Sequence, residues 1–227
     1  MRILHTSDWH LGIKLQNFSR LDEQKEVINE ICKIAEDYNV DVFIISGDIF
    51  DNANPSEEVR KLFYETLRRL YNKERIIIAI AGNHDSPEGI ETPYPLAKEF
   101  GIFLVGFPNT NVGNFETENV KVEEKEEGFI EIKFKKFDYP LRILLSPYTN
   151  EYRLRKSLNI DENEEIKEVV VKRWKELVEK YCDNKGINLL VAHALVMKNG
   201  IKIEELEDEK PIIGGIGAIS PEDIPDK

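Results

Sequence analysis

The sequence predicts an α/β fold built on a parallel sheet, and two observations carry this. Apolar runs of strand length alternate with amphipathic helical stretches through the first 81 residues. Each of those runs also ends in a short polar turn, as strands do when they hand over to a crossover helix. No internal repeat or low-complexity linker interrupts the pattern. Residues 2–7 read as a short buried strand running into a polar loop. Val27, Ile28, Ile31, Ile34, Ala35 and Tyr38 recur at helical spacing, so residues 22–39 read as an amphipathic helix. Residues 41–46 form a continuous apolar run ending in Gly47-Asp48. Asn54-Pro55-Ser56 is a helix start with Pro in the first turn, and Glu57 and Glu58 suit the positive end of the helix dipole. That helix carries Val59, Leu62, Phe63, Leu67, Leu70 and Tyr71. Residues 76–81 are a third buried strand, ending in Gly82-Asn83-His84-Asp85.

After Gly101 the texture changes. Phe103–Val105, Phe129–Phe134 and Arg142–Leu145 are short β-like pieces separated by polar stretches, which predicts a second sheet with antiparallel pairing. Residues 161–182 read as a helix with a stripe of Ile166, Val169, Val170, Trp174, Leu177, Val178 and Tyr181. Leu189–Ala192 is a last buried strand, and His193 follows it.

The chain has 227 residues, 41% of them hydrophobic, which is enough to bury a substantial core and too apolar for a disordered polyelectrolyte. Cys32 and Cys182 lie far apart and form no pair motif, so a disulfide scaffold is excluded and a reducing compartment expected. The N-terminal residues turn polar too early for a signal peptide, and no apolar run approaches the roughly 20 residues that cross a bilayer. A cytoplasmic protein without a membrane partner is the expectation. With 31 Lys+Arg against 43 Asp+Glu the formal charge is −12, which taken alone disfavours a nucleic-acid partner. The imbalance is local, however: residues 116–127, 161–168 and 204–210 each net −4, and the rest of the chain sums to zero.

Three polar clusters stand directly after three of the expected strands: Asp8-Trp9-His10, Gly47-Asp48-Ile49-Phe50-Asp51 and Gly82-Asn83-His84-Asp85. In open α/β sheets the loops beyond the carboxyl ends of the strands converge on one crevice, so these clusters and His193 meet there. Carboxylates and an amide suit hard divalent cations, and imidazoles suit transition metals. A shared carboxylate such as Asp48 can hold two ions in the manner of two-metal phosphoesterases.

Taken together, the three clusters resemble the calcineurin-like metallophosphoesterase superfamily. Three stretches, Leu4 to Gly12, Gly47 to Pro55 and Ala81 to Pro87, narrow the resemblance to the SbcD family of prokaryotic double-strand-break repair nucleases. It is dense over residues 1–108, looser to 193 and weak beyond. The resemblance implies a metallophosphoesterase sandwich of two stacked mixed β-sheets flanked by helices. It implies that Asp8 and His10 bind a first ion, that Asp48 bridges both, and that Asn83 and His193 bind a second. His84 would contact the scissile phosphate and assist the leaving oxygen, with Asp51 behind it fixing its tautomer. The ions would be two Mn²⁺, with Mg²⁺ a possible substitute. The implied activity is hydrolysis of DNA phosphodiesters by a metal-activated hydroxide, as a double-strand exonuclease and single-strand endonuclease. The partners would be DNA, an SbcC-type SMC-like ATPase and a second copy of the chain. Dimer contacts are expected on the surface of the second helix and near 92–100, and the location is nucleoid-associated.

One departure stands out. A fourth Gly-His-x-His motif, expected to give each ion a further ligand, is absent, and no histidine follows His193. Residues 1–227 are therefore expected to be one metallophosphoesterase domain truncated before that motif, without capping or ATPase-docking regions. Such a domain is expected to bind metal weakly and to be poorly active. Two other readings remain: a phosphomonoesterase or cyclic-nucleotide phosphodiesterase of the same superfamily, or a non-catalytic dimerisation scaffold. The protein-phosphatase branch places Arg after the second Asp of its motif, whereas Asn52 follows Asp51 here.

His5 reads as a satisfied, partly buried structural histidine, Trp9 as a packing wall and Cys32 as a core residue. Asp85 reads either as a catalytic acid or as a turn-forming carboxylate before Ser86-Pro87. Lys14, Asn17 and Arg20 either reach a DNA backbone or form a solvated loop. Residues 128–160 hold a modest basic excess, from Lys133, Lys135, Lys136, Arg142, Arg153, Arg155 and Lys156, that could meet phosphate without reading sequence.

Overall fold

The computed structural model describes residues 1–158, 165–197 and 218–226. Strand β1 (Ile3–Thr6) leads through a small hairpin, β2 (Lys14–Leu15) and β3 (Phe18–Ser19), into helix α1 (Leu21–Asp37). Then follow β4 (Val42–Ser46), α2 (Glu57–Leu70) and β5 (Ile76–Ile80). Two short helices, α3 (Pro87–Glu91) and α4 (Tyr94–Ala97), precede β6 (Ile102–Val105). These strands form one parallel sheet in the order β1-β4-β5-β6.

The second sheet comprises β7 (Phe115–Glu116), β8 (Val120–Glu126), β9 (Phe129–Phe134), β10 (Leu141–Ser146) and β11 (Ile187–Ala192). Its order is β11-β10-β9-β8-β7, with β10 and β11 parallel and the other pairs antiparallel. Helices α5 (Glu151–Leu158) and α6 (Ile166–Tyr181) connect β10 to β11.

The period-2 alternation of strand side chains divides the central strands between two cores. Phe43, Ile45, Ile77 and Ala79 face Ile28, Cys32 and Ala35 of α1 and Phe63, Leu67 and Leu70 of α2. Val42, Ile44, Ile76 and Ile78 face Val122, Ile130, Ile132 and Ile143 of the second sheet. The outer face of that sheet packs Leu144 and Phe129 on Leu154, Val170, Trp174 and Leu177. The result is a four-layer helix–sheet–sheet–helix sandwich. Burial on both faces explains why β4 and β5 are unbroken apolar runs, since a parallel sheet under helices has no wet side. Each such Ile or Phe contributes about 1.5–3 kcal/mol on leaving water.

Several expectations shift. β1 is an edge strand and only half covered, so His5 is exposed rather than partly buried; its Nε2 lies 2.9 Å from Ser46 Oγ. Phe103–Val105 belongs to the parallel sheet, because Gly101 (φ 67°) turns the chain left-handed and starts β6 beside Ile77. The acidic stretch 116–127 hides β8, which buries Val120 and Val122 while its charges face outward. Ser56 caps α2 by accepting from Val59 N, so Pro55 precedes the cap instead of lying in the first turn. The helix expected over 161–182 is α6, and 161–164 lie outside the described residues.

The basic region is largely structural. Arg142 donates to Glu131 (2.9 Å) and Asp183 (2.7 Å), while Lys133 pairs with Glu131 (3.0 Å) and Lys135 with Glu118 (4.0 Å). Lys136 pairs with Asp41, Arg155 with Glu151 and Lys156 with Glu88. Burial pushes the Glu131 carboxyl up, but its bonds to Lys133 and Arg142 outweigh this and hold it low. Arg75 is buried and donates to the carbonyls of Val40, Leu70 and Ala35, closing the ends of α1 and α2. No helix among the described residues is long and apolar enough to cross a membrane.

Candidate metal centre

The loops after β1 and β4 are zipped together by backbone hydrogen bonds. Asp8 N donates to Gly47 O (3.1 Å), His10 N to Asp48 O (2.9 Å), and Leu11 N to Ile49 O (2.9 Å). Asp51 N returns to Leu11 O at 3.1 Å. This pairing forces left-handed backbone on side chains that disfavour it: Asp8 (φ 54°), His10 (φ 43°) and Asp48 (φ 47°). Strain of this kind, held by surrounding structure, concentrates at functional sites.

Two glycines make the close approach possible. A Cβ on Gly47 (φ 90°) would stand 2.3 Å from His193 Nδ1, and one on Gly82 would stand 2.1 Å from Asp48 N and Oδ1. Gly82→Ala is therefore expected to push Asp48 aside and weaken divalent-metal binding at least about tenfold, as losses next to a ligand do. Calorimetric titration of the folded variant with Mn²⁺ checks this.

Asp48 sits at the middle, 4% exposed. Its Oδ1 accepts from His84 N (2.9 Å), which leaves Oδ2 facing His10 Nε2 and His193 Nε2, each at 3.6 Å. His193 Nδ1 lies 2.7 Å from the Ser46 carbonyl, and only an N–H can serve that acceptor. Its Nε2 faces inward, 3.0 Å from Asn83 Oδ1. Such a bond on the outer ring nitrogen is the usual companion of a metal-ligating histidine. His10 Nδ1 is buried with no hydrogen-bond partner, 3.8 Å from Asp51 Oδ1.

Donor atoms of Asp8, Asp48 and His193 fall within 4.8 Å of one another, as do those of His10, Asp48 and His84. Asp48 is common to both groups. Within these groups Asp8 lies with His193, and His10 with His84. Asp8 bonds Gly47 and so lies over the end of β4 on which His193 leans, whereas His10 is carried two residues further toward Asp51. The donor chemistry fits a pair of divalent cations: carboxylate and amide oxygens, imidazole nitrogens turned inward, and an orphaned imidazole nitrogen beside a carboxylate.

His84 is exposed at the mouth, its ring edge-on to His10 at 4.8 Å. Its Nδ1 lies 2.8 Å from the backbone carbonyl of Asp51. The Asp51 side chain faces His10 instead, because the chain has already turned there to pair with Leu11. Asp85 resolves as a structural carboxylate: 1% exposed, it accepts from Ile49 N, Phe50 N and Gly82 N and ties the β4 and β5 loops. Burial pushes its carboxyl up against the lowering effect of those bonds.

Lys14, Asn17 and Arg20 stay apart from this cluster, exposed on and beside the β2–β3 hairpin, and Arg20 pairs with Glu23. Trp9 packs edge-on to Phe43 and Phe63, as a wall should. Sequence reasoning missed Arg153, which lies buried beneath Gly82 and Asp85. No spacing in the sequence sets it apart from its exposed neighbours.

Over residues 1–203 the sequence matches the calcineurin-like phosphoesterase family, and the chain belongs to that family. The SbcD subunit of the SbcCD nuclease from Bacillus subtilis is 32% identical over 231 residues, covering 99% of this chain and 54% of that protein. The chain thus spans about half the length of that relative. The SbcD subunit from Rhodobacter capsulatus is 36% identical over 108 residues, 47% of this chain and 27% of its own length. That from Escherichia coli K12 is 38% identical over 86 residues, 38% of this chain and 22% of its own length.

Proposed function

We propose that this chain is the nuclease portion of an SbcCD-like complex and hydrolyses DNA phosphodiesters with Mn²⁺. The observation that carries the reading is Asp48, whose one free carboxylate oxygen faces the inward nitrogens of His10 and His193 at equal distance. Asp8, His10, Asn83 and His193, gathered around Asp48, would hold two ions. When bound, such ions lower the pKa of water and neutralise charge that builds on the phosphate.

The chain's own residues supply the rest. His84, at the mouth with its Nδ1 fixed by a carbonyl, presents Nε2 to a phosphodiester and can give a proton to the departing oxygen. Asp51 orients His84 through its carbonyl, and its carboxylate lies 3.8 Å from His10 Nδ1. Lys14 and Asn17 on the exposed hairpin, with Arg20, would meet the DNA backbone beside the centre. Tyr64 of α2 together with Leu96 and Phe100, all exposed, would form the contact with a second copy. An SbcC-type ATPase and both exonuclease and endonuclease modes belong to the same proposal.

His84→Ala is expected to retain Mn²⁺ binding and lower hydrolysis of a labelled DNA duplex about a hundred- to ten-thousand-fold, the range of one general acid. Duplex DNA assayed beside p-nitrophenyl phosphate and a cyclic nucleotide decides the substrate class. Hydrolysis confined to the monoester or the cyclic nucleotide would overturn the nuclease reading.

A further inference from the structure

Behind the centre, and outside the residues assigned to ions, lies a buried cation that ties the β5 loop to the end of β10. Arg153 is 6% exposed and, among the described residues, donates to backbone carbonyls: Nη1 to Gly82 O (2.8 Å) and Tyr148 O (3.2 Å), Nη2 to Asp85 O (2.6 Å). Gly82 and Asp85 flank Asn83 and His84, so the guanidinium grips the turn on both sides of them. Its flat face lies 5.1 Å from the centre of the Tyr148 ring. That ring in turn stands edge-on to His193 at 6.3 Å. Tyr148 is itself pinned, its N–H donating to Ala81 O at 2.8 Å, and it is 7% exposed with a hydroxyl that has no protein partner. His193, just past β11, is tied to the end of β10 by a bond from its N–H to Ser146 O (3.1 Å).

We propose that Arg153 and Tyr148 are positioning residues, forming a clamp that sets Asn83 against His193 and so pre-shapes one half of the centre. The guanidinium holds this turn through its carbonyls, as Arg75 holds the ends of α1 and α2. Two separate nitrogens reach Gly82 and Asp85, a span that the single ammonium of Lys does not reproduce. The stacked ring then carries that order across to His193, whose Nε2 would otherwise pivot about its Ser46 bond.

The inference rests on reading the cluster as a metal centre, and the test separates the two. Imidazole and side-chain amide resonances of His193 and Asn83 are recorded without metal in the wild type, Arg153→Lys and Tyr148→Leu, with His5 as an internal reference. Mn²⁺ is then titrated into each. In both variants the His193 and Asn83 signals are expected to shift and broaden while His5 stays put, and the affinity for one Mn²⁺ to fall at least tenfold. Tyr148→Phe, which keeps the ring, is expected to restore the His193 signals. A folded Arg153→Lys with lowered thermal stability but unmoved His193 and Asn83 signals would overturn the clamp. If Arg153→Lys does not fold, unmoved signals in Tyr148→Leu overturn it equally. A wild type that takes up no Mn²⁺ would defeat the metal reading alone, since the metal-free signals still report on the clamp.

Discussion

Asp48→Asn is expected to lower Mn²⁺-dependent hydrolysis of duplex DNA at least about a thousand-fold while leaving the fold intact. The amide keeps the shape of the carboxylate, and an amide oxygen at Oδ1 can still accept from His84 N. The change falls on Oδ2, the atom that faces both His10 Nε2 and His193 Nε2 at 3.6 Å. An amide nitrogen there carries no charge and cannot be shared by two cations, so both halves of the centre lose a ligand at once. A loss of several kcal/mol in charge stabilisation corresponds to three or more powers of ten in rate. Far-UV circular dichroism of the variant should match the wild type. A variant that unfolds, or one that retains a tenth of the activity, would remove Asp48 from its bridging place.

Arg75→Met is expected to cost about 3–5 kcal/mol, near the top of what one substitution does. Methionine fills much of the volume but leaves the carbonyls of Val40 and Leu70 without the bonds Arg75 gives them, while Ala35 O keeps its bond from Val40 N. Each unsatisfied carbonyl costs about 1–3 kcal/mol, offset in part because the charge itself no longer has to be buried. Burial already holds the Arg75 guanidinium below its ordinary pKa, a sign of how poorly solvated the site is. For a chain of this size the loss corresponds to a fall of about 10 °C in melting temperature, readable by calorimetry. A fall of 1–2 °C would show that water or main-chain movement satisfies those carbonyls.

The centre was far more legible in the sequence than the scaffold that holds it. Asp8, His10, Asp48, Asn83 and His193 each follow a strand whose apolar run announces itself, and parallel topology carries such strand ends to one edge. Local pattern and tertiary placement coincide there. They part company at β8, where only Val120 and Val122 of a charged stretch turn inward, because a strand with one face toward solvent needs one apolar face only. Arg142 and Arg153 look in sequence like their exposed neighbours. Their burial is decided by Glu131 and Asp183 in one case and by the carbonyls of Gly82 and Asp85 in the other. The place of Asp51 was legible, but not that its carbonyl meets His84 while its carboxylate turns toward His10, since that depends on the turn beside Leu11.

The acidic total also finds its place. The segment 116–127 spends several of its charges within the second sheet: Glu123 bonds Lys121 and Lys125, which hold its carboxyl down at about 2, and Glu126 bonds Lys180. None of this lies at the strand-end centre. A net charge of −12 is therefore compatible with attraction for phosphate that is local and borne by ions.

The most direct measurement is electron paramagnetic resonance of the purified chain as Mn²⁺ is added. Two ions sharing the Asp48 carboxylate are expected to give the signature of an exchange-coupled pair as the second equivalent binds, and Asp48→Asn is expected to abolish it. Signals of isolated ions throughout the titration, unchanged by Asp48→Asn, would contradict a centre built around that carboxylate.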